Sequence, residues 1–73
     1  MDPLTVARYG MFAAQQRFES SAERTARMGQ DPTVDPAKEM VEQVEAKLQF
    51  AANVNVAKFT TDMWRVLLEL QKR

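Results

Sequence analysis

The stretch Met28-Gly29-Gln30-Asp31-Pro32-Thr33-Val34-Asp35-Pro36 decides how this chain folds, because it is the one evident break between two long helix-forming segments. Glycine followed shortly by proline is how helices commonly stop, and aspartate followed by proline is how they commonly start. Asp35-Pro36 supplies the second signal, and Asp2-Pro3 repeats it near the N-terminus. The expected organisation is a single all-α unit: a helix over about residues 3–28, a loop over 29–35 and a longer helix over about 36–71. A short connection between two helices folds them back on each other, so the expected architecture is an antiparallel helical hairpin with coiled-coil-like packing. Glu39 and Glu42 in the early turns of the second helix, and Arg65, Lys72 and Arg73 towards its end, suit the helix macrodipole. Gly10 is the interior weak point of the first helix, costing about 1 kcal/mol relative to alanine. Its missing side chain would permit a close helix contact.

Composition narrows the functions. The chain has 73 residues, ten basic and ten acidic side chains, no cysteine and no histidine. A core of this size rarely contributes more than about 3–5 kcal/mol, and such domains are usually supported by disulfides, a metal or partner chains. Without Cys a disulfide is impossible, and without Cys and His an ordinary zinc site is too, which leaves partner chains. The side chains that most often act as nucleophile or general base near neutral pH are also missing, so the reading is a non-enzyme with no cofactor. Residues 1–30 carry four Arg against three acids and residues 31–73 six bases against seven acids. That balance argues against nucleic acid, whose binding rests on cationic surface. No apolar run approaches the roughly 20 residues that span a bilayer, and no secretory signal block opens the chain. Nothing in the pattern calls for a small-molecule substrate: the two glycines, Gly10 and Gly29, cannot form a phosphate loop, and Ser20-Ser21 has no base nearby.

Apolar periodicity then assigns faces. In the first helix Leu4, Met11, Phe18 and Thr25 recur every seven residues beside a second row of Ala7, Ala14, Ser21 and Met28. In the second helix Ala37, Leu48, Phe59 and Leu70, with Val41, Ala52 and Met63 and with Val44, Asn55 and Val66, keep an eleven-residue period on a single stripe. That period implies a straight or slightly right-handed helix. The expected intramolecular seam is therefore Leu4, Met11 and Phe18 against Val41, Val44, Leu48 and Phe59, with Asn55 as a candidate register residue. A second row, Phe50, Ala57 and Trp64, extended by Val54 and Leu68, lies roughly opposite that stripe. Tyr9, Phe12 and Val6 similarly sit off the first helix's seam. At 1.5 Å per residue the two helices are about 39 and 55 Å long, so the C-terminal end of the second projects past the first. The expected assembly interface is Phe50, Ala57, Met63, Trp64, Leu67, Leu68 and Leu70, since apolar surface of that extent marks an interaction site. Glu39, Glu42 and Glu45 read as a solvated helix face, and Glu23 with Arg27 as an i, i+4 ion pair.

Glu39-Met40-Val41, Gln49-Phe50-Ala51-Ala52-Asn53, Val56, Thr60-Thr61-Asp62-Met63, Leu67-Leu68 and the final Lys72-Arg73 together resemble the C-terminal helix of flagellar rod and hook proteins. Residues 4–28, with Ala13-Ala14-Gln15-Gln16-Arg17 followed by Ser21-Ala22, look like that family's N-terminal helix. Glu23-Arg24 stands where the family usually carries an Asn-Asn pair, and residues 29–35 replace its β-rich central segment. The chain thus looks like a rod protein reduced to its terminal helices. The resemblance implies terminal helices paired as a coiled coil around an axial tube, related axial proteins or further copies as partners, and a periplasmic place in the bacterial flagellar basal body, reached by flagellar export without a cleaved signal. The expected function is a minimal rod-like axial component that self-associates through its helices. The alternative is a cytoplasmic regulatory or chaperone-like module whose groove accepts an amphipathic helix of another protein.

Overall fold

A computed structural model describes residues 2–72; Arg73, one of the C-terminal cations noted above, lies outside them. Two helices make up the fold, α1 over Pro3–Ala26 and α2 over Pro36–Gln71. Both begin as their sequences imply. The Asp2 carboxylate accepts the Thr5 backbone N–H at 2.9 Å, and its other oxygen accepts the Thr5 hydroxyl at 2.8 Å. The Asp35 carboxylate accepts the N–H groups of Ala37 and Lys38 at 3.0 and 3.4 Å. Each cap thereby satisfies donors that the first helical turn cannot satisfy itself, and proline occupies the first helical position of both helices.

The end of α1 differs from expectation. The helix closes at Ala26 with Arg27 as its cap, two residues short of Met28, and Gly29 does not adopt the positive φ of a C-terminal glycine cap. The Arg27 N–H is shared between the carbonyls of Glu23 and Arg24, and the Arg27 carbonyl then accepts the N–H groups of Gln30 and Asp31, both at 2.9 Å. These tight turns consume the last carbonyls before Gly29 is reached. Asp31 finishes the loop by accepting the Thr33 N–H and hydroxyl at 2.9 and 2.6 Å, bonds that hold its carboxyl below the usual carboxylate range.

The helices pack antiparallel: Thr25 meets Gln43, Ser21 meets Glu39, Arg17 reaches Glu42 and Gln49, and Gly10 faces Asn53. Extrapolated along the hairpin, that register places the start of α1 near Thr60, and α2 continues alone for about three turns. The molecule is a rod of 64 × 18 × 14 Å with a radius of gyration of 17.8 Å, where a compact chain of this length would have about 11 Å. So thin a shape has little interior.

Candidate functional site

What lies inside that rod is small. Ala7, Ala14 and Ala46 are each 1% exposed, Ser21 is fully buried and Glu39 is 7% exposed; among the described residues no apolar side chain larger than alanine is buried. Ala7, Ala14 and Ser21 form one seven-residue row on α1, facing Glu39, Ala46, Asn53 and Thr60, another seven-residue row, on α2. The contact is close enough that a Cβ on Gly10 would fall on the Asn53 amide, 2.5 Å from Cγ and 2.6 Å from Nδ2. Gly10 is therefore where the Asn53 side chain occupies the space that a side chain on α1 would need. The Asn53 Nδ2 donates in turn to the Gln49 carbonyl at 2.8 Å, which holds the amide in that position.

Polar groups occupy the rest of the seam and are satisfied. The Ser21 hydroxyl donates to Glu39 Oε1 at 2.8 Å and accepts from Gln43 Nε2 at 3.3 Å, while Gln43 also donates to the Thr25 hydroxyl at 3.0 Å. Arg24 Nε donates to both Glu39 oxygens, at 3.0 and 2.9 Å. Two turns away along α1, the Arg17 guanidinium bonds both oxygens of Glu42 and one of Glu45 and gives a fourth bond to Gln49 at 3.2 Å. Every buried side-chain polar atom among the described residues has a partner. Hydrogen bonds from Arg24 and Ser21 hold the Glu39 carboxyl below its ordinary range, and Arg17 does the same for Glu42. General-acid chemistry at neutral pH needs the opposite shift.

This corrects the expected faces. Leu4 and Met11 are half-buried and Phe18 sits at the edge of the seam, so the large row of α1 flanks the contact and the small row makes it. Val41, Val44, Leu48 and Phe59, expected in the seam, lie outside; Leu48 is 65% and Phe59 67% exposed. They point about 140–160° away from Ala46 around a helix of 3.6 residues per turn. Asn55 is exposed on that outer stripe, and the asparagine in the seam is Asn53. The contacting rows keep a period of seven on both helices, the repeat of a left-handed coil; the eleven-residue period belongs to the outer face of α2. Phe50, expected in the assembly interface, instead borders α1, and Ala57, expected there too, is half-buried. Phe50 shares a hollow with Ala14, Gln15, Phe18, Ala46 and Lys47 on one edge of the hairpin. Glu39, Glu42 and Glu45, expected as a solvated face, form the acidic half of ion pairs across the hairpin, with Glu39 buried, Glu42 half-buried and Glu45 exposed.

Met63, Trp64, Leu67, Leu68 and Leu70 are exposed on the part of α2 that projects beyond α1, as the difference in helix lengths requires. Val6, Tyr9 and Phe12 add exposed apolar surface at the same end of the rod. No helix is long and apolar enough to cross a membrane, and no group of acidic residues among those described could hold a metal ion.

Glu39, Gln43, Ala46 and Asn53 are the seam residues that apolar periodicity did not select. Two signals in the sequence point to them: the small-residue heptad of the first helix, and Arg17 and Arg24 on that helix matched by Glu39, Glu42 and Glu45 on the other. Comparisons with protein-family models, with curated proteins and with solved structures found no match.

Proposed function

We propose that this chain is a non-enzymatic assembly protein, a helical hairpin that self-associates through large apolar side chains on its outside, in the manner of a minimal flagellar rod-like axial component. The observation that carries the reading is the inversion of the usual burial pattern: alanine, serine and a paired glutamate fill the seam, while valine, leucine, phenylalanine and tryptophan face outward. Covering the outer side chains would contribute at about 25 cal/mol per Å², burial that the alanine-lined seam of the single hairpin does not supply. The axial assignment rests on the ordered motifs of α2 and on the small-residue seam of α1, which resemble the paired terminal helices of rod and hook proteins. It places the chain in the flagellar basal body with further copies or related axial proteins as its neighbours.

Deletion of the gene tests the axial assignment. The expected result is loss or disorder of the flagellar axis, restored by the wild-type chain and not by a variant with Trp64 and Leu68 replaced by Ser. Normal flagella and motility would overturn it. In the chaperone-like alternative the chain stays in the cytoplasm and binds an amphipathic helix of another protein, so fractionation of cells separates the two.

A further inference from the structure

We infer that Glu39, held by Arg24 and the Ser21 hydroxyl, is a register latch: it keeps α1 at this position on α2 against a slip of one heptad towards the projecting end. The small-residue seam by itself does not choose between the two positions. Ala7, Ala14 and Ser21 repeat every seven residues, as do Glu39, Ala46, Asn53 and Thr60 on the facing row. Moving α1 by seven residues, about 10.5 Å, sets Ser21 on Ala46, Ala14 on Asn53 and Ala7 on Thr60, so small side chains again meet small or short ones. Arg24 then takes the place of Arg17 beside Glu42 and Glu45, because the two arginines are also seven residues apart. The loop is long enough for this. Residues 27–35 would have to span roughly 14 Å, from the slip combined with a helix separation of about 8–10 Å, and nine extended residues reach about 30 Å.

Two contacts oppose the slip. It draws Ser21 and Arg24 away from Glu39, whose carboxylate loses the three bonds, at 2.8, 3.0 and 2.9 Å, that satisfy it. It also brings Arg17 to the place of Gly10, where a Cβ falls 2.5 Å from the Asn53 Cγ. Fixing register is the best-attested use of polar groups buried between helices, and here the polar contacts are what distinguish one heptad position from the next. A slip in the opposite direction withdraws α1 from Asn53 and uncovers more of α2, so it adds no contact. The forward slip does add one. Leu4, half-buried in the observed register, rises to the level of Trp64, which is 62% exposed, and the part of α2 that continues alone shortens from about three turns to about one. The latch therefore sets how much apolar surface the projecting end presents. The choice of register is independent of the assembly proposed above, and only this consequence for the projecting end bears on it.

The chain has no cysteine and one tryptophan, so introduced thiol pairs and Trp64 can both report the register. Ala14→Cys with Ala46→Cys marks the observed position, and Ala7→Cys with Thr60→Cys marks the slipped one; none of the four residues belongs to the latch. In either register the other pair stands about 10.5 Å out of step along the axis, beyond the reach of a disulfide. Each pair is oxidised in dilute solution and links within one chain are counted by mass, so assembly, or its failure, does not enter the readout. With Glu39 in place the Ala14/Ala46 pair is expected to link at least tenfold faster than the Ala7/Thr60 pair. Glu39→Ala is expected to lower that ratio at least tenfold and to shift Trp64 fluorescence to the blue, and adding Asn53→Ala should lower the ratio further. Glu39→Gln keeps the side chain's size and should move the ratio the same way by a smaller factor, so the test survives if the alanine variant loses its helices. A ratio that stays at its wild-type value in both variants, or links that fall together in both, would overturn the inference: Glu39 would then support the hairpin without choosing its register. Equal linking of the two pairs in the otherwise native chain would show that no latch operates.

Discussion

Replacing Gly10 by alanine tests the close approach of the two helices most sharply, because two effects of opposite sign meet at that position. Alanine in a helix interior is favoured over glycine by about 1 kcal/mol. The added Cβ would, however, fall on the Asn53 amide, 2.5 Å from its Cγ, and overpacking a tight contact costs about 1–3 kcal/mol. The net expectation for Gly10→Ala is a loss of up to about 2 kcal/mol, which for a chain this short lowers the melting temperature by roughly 4–8 °C per kcal/mol. In an Asn53→Ala background the obstacle is gone and the same substitution should stabilise by about 1 kcal/mol. The double-mutant cycle therefore carries a coupling of about 1–3 kcal/mol, well outside the additivity of independent sites. Far-UV circular dichroism during urea or thermal unfolding, with all four chains at one concentration because self-association shifts the midpoint, gives the four values. If Gly10→Ala stabilises by about 1 kcal/mol in both backgrounds, the helices do not meet at Gly10 and the small-residue seam is wrong.

Size should matter in opposite directions on the two faces of the hairpin. Ala14→Leu, in the seam, is expected to destabilise by about 1–3 kcal/mol in urea unfolding, whereas Leu48→Ala, on the outer stripe, should lower association while leaving helix content nearly unchanged; the reverse order would restore the large-residue seam. Replacing Trp64 and Leu68 by Ser should weaken association in sedimentation more than it lowers helix content, since both residues lie beyond the end of α1, and an equal loss of both would make them part of the hairpin's own core. Acid should loosen the hairpin. The folded-state carboxyls of Glu39 and Glu42 are held below the ordinary value of 4.5, so their contribution is fully present above about pH 4.5 and is lost as pH falls through the lowered folded-state values. Melting temperatures followed from pH 7 to pH 2 should hold steady and then drop, with a smaller drop in Glu39→Gln; a stability that rises on acidification would contradict the ion pairs.

The parts of this fold legible in the sequence are those governed by local chemistry or by length. Asp2-Pro3 and Asp35-Pro36 cap their helices because carboxylate-to-backbone bonds need only neighbouring residues. The projecting end of α2 follows from two helix lengths and one loop. The facing surfaces were harder to read, because the usual guide, that the largest apolar side chains lie inside, fails when backbones approach too closely to admit them. Phe59 and Leu48 make a longer and stronger apolar pattern than Ala46 and Glu39, yet the smaller pair is buried. Asn53 and Asn55 stand only two residues apart, about 200° around the helix, so choosing the wrong face exchanged one asparagine for the other. Arg17 and Arg24 were legible only as a pair of patterns, positive on one helix and negative on the other, that become meaningful once the antiparallel register is known. The exposed apolar surface was partly legible: the projecting end that carries Trp64 and Leu68 follows from length, while the outer stripe is legible as a stripe but lies on the face away from α1.

The mass of the native chain in solution, measured by light scattering across a wide range of concentration, tests the central claim most directly. A hairpin whose seam buries no apolar side chain larger than alanine, and whose large apolar side chains face outward, should show a mass that rises with concentration above 8.3 kDa, with thermal stability rising in step. A mass fixed at 8.3 kDa throughout, with cooperative unfolding independent of concentration, would contradict it.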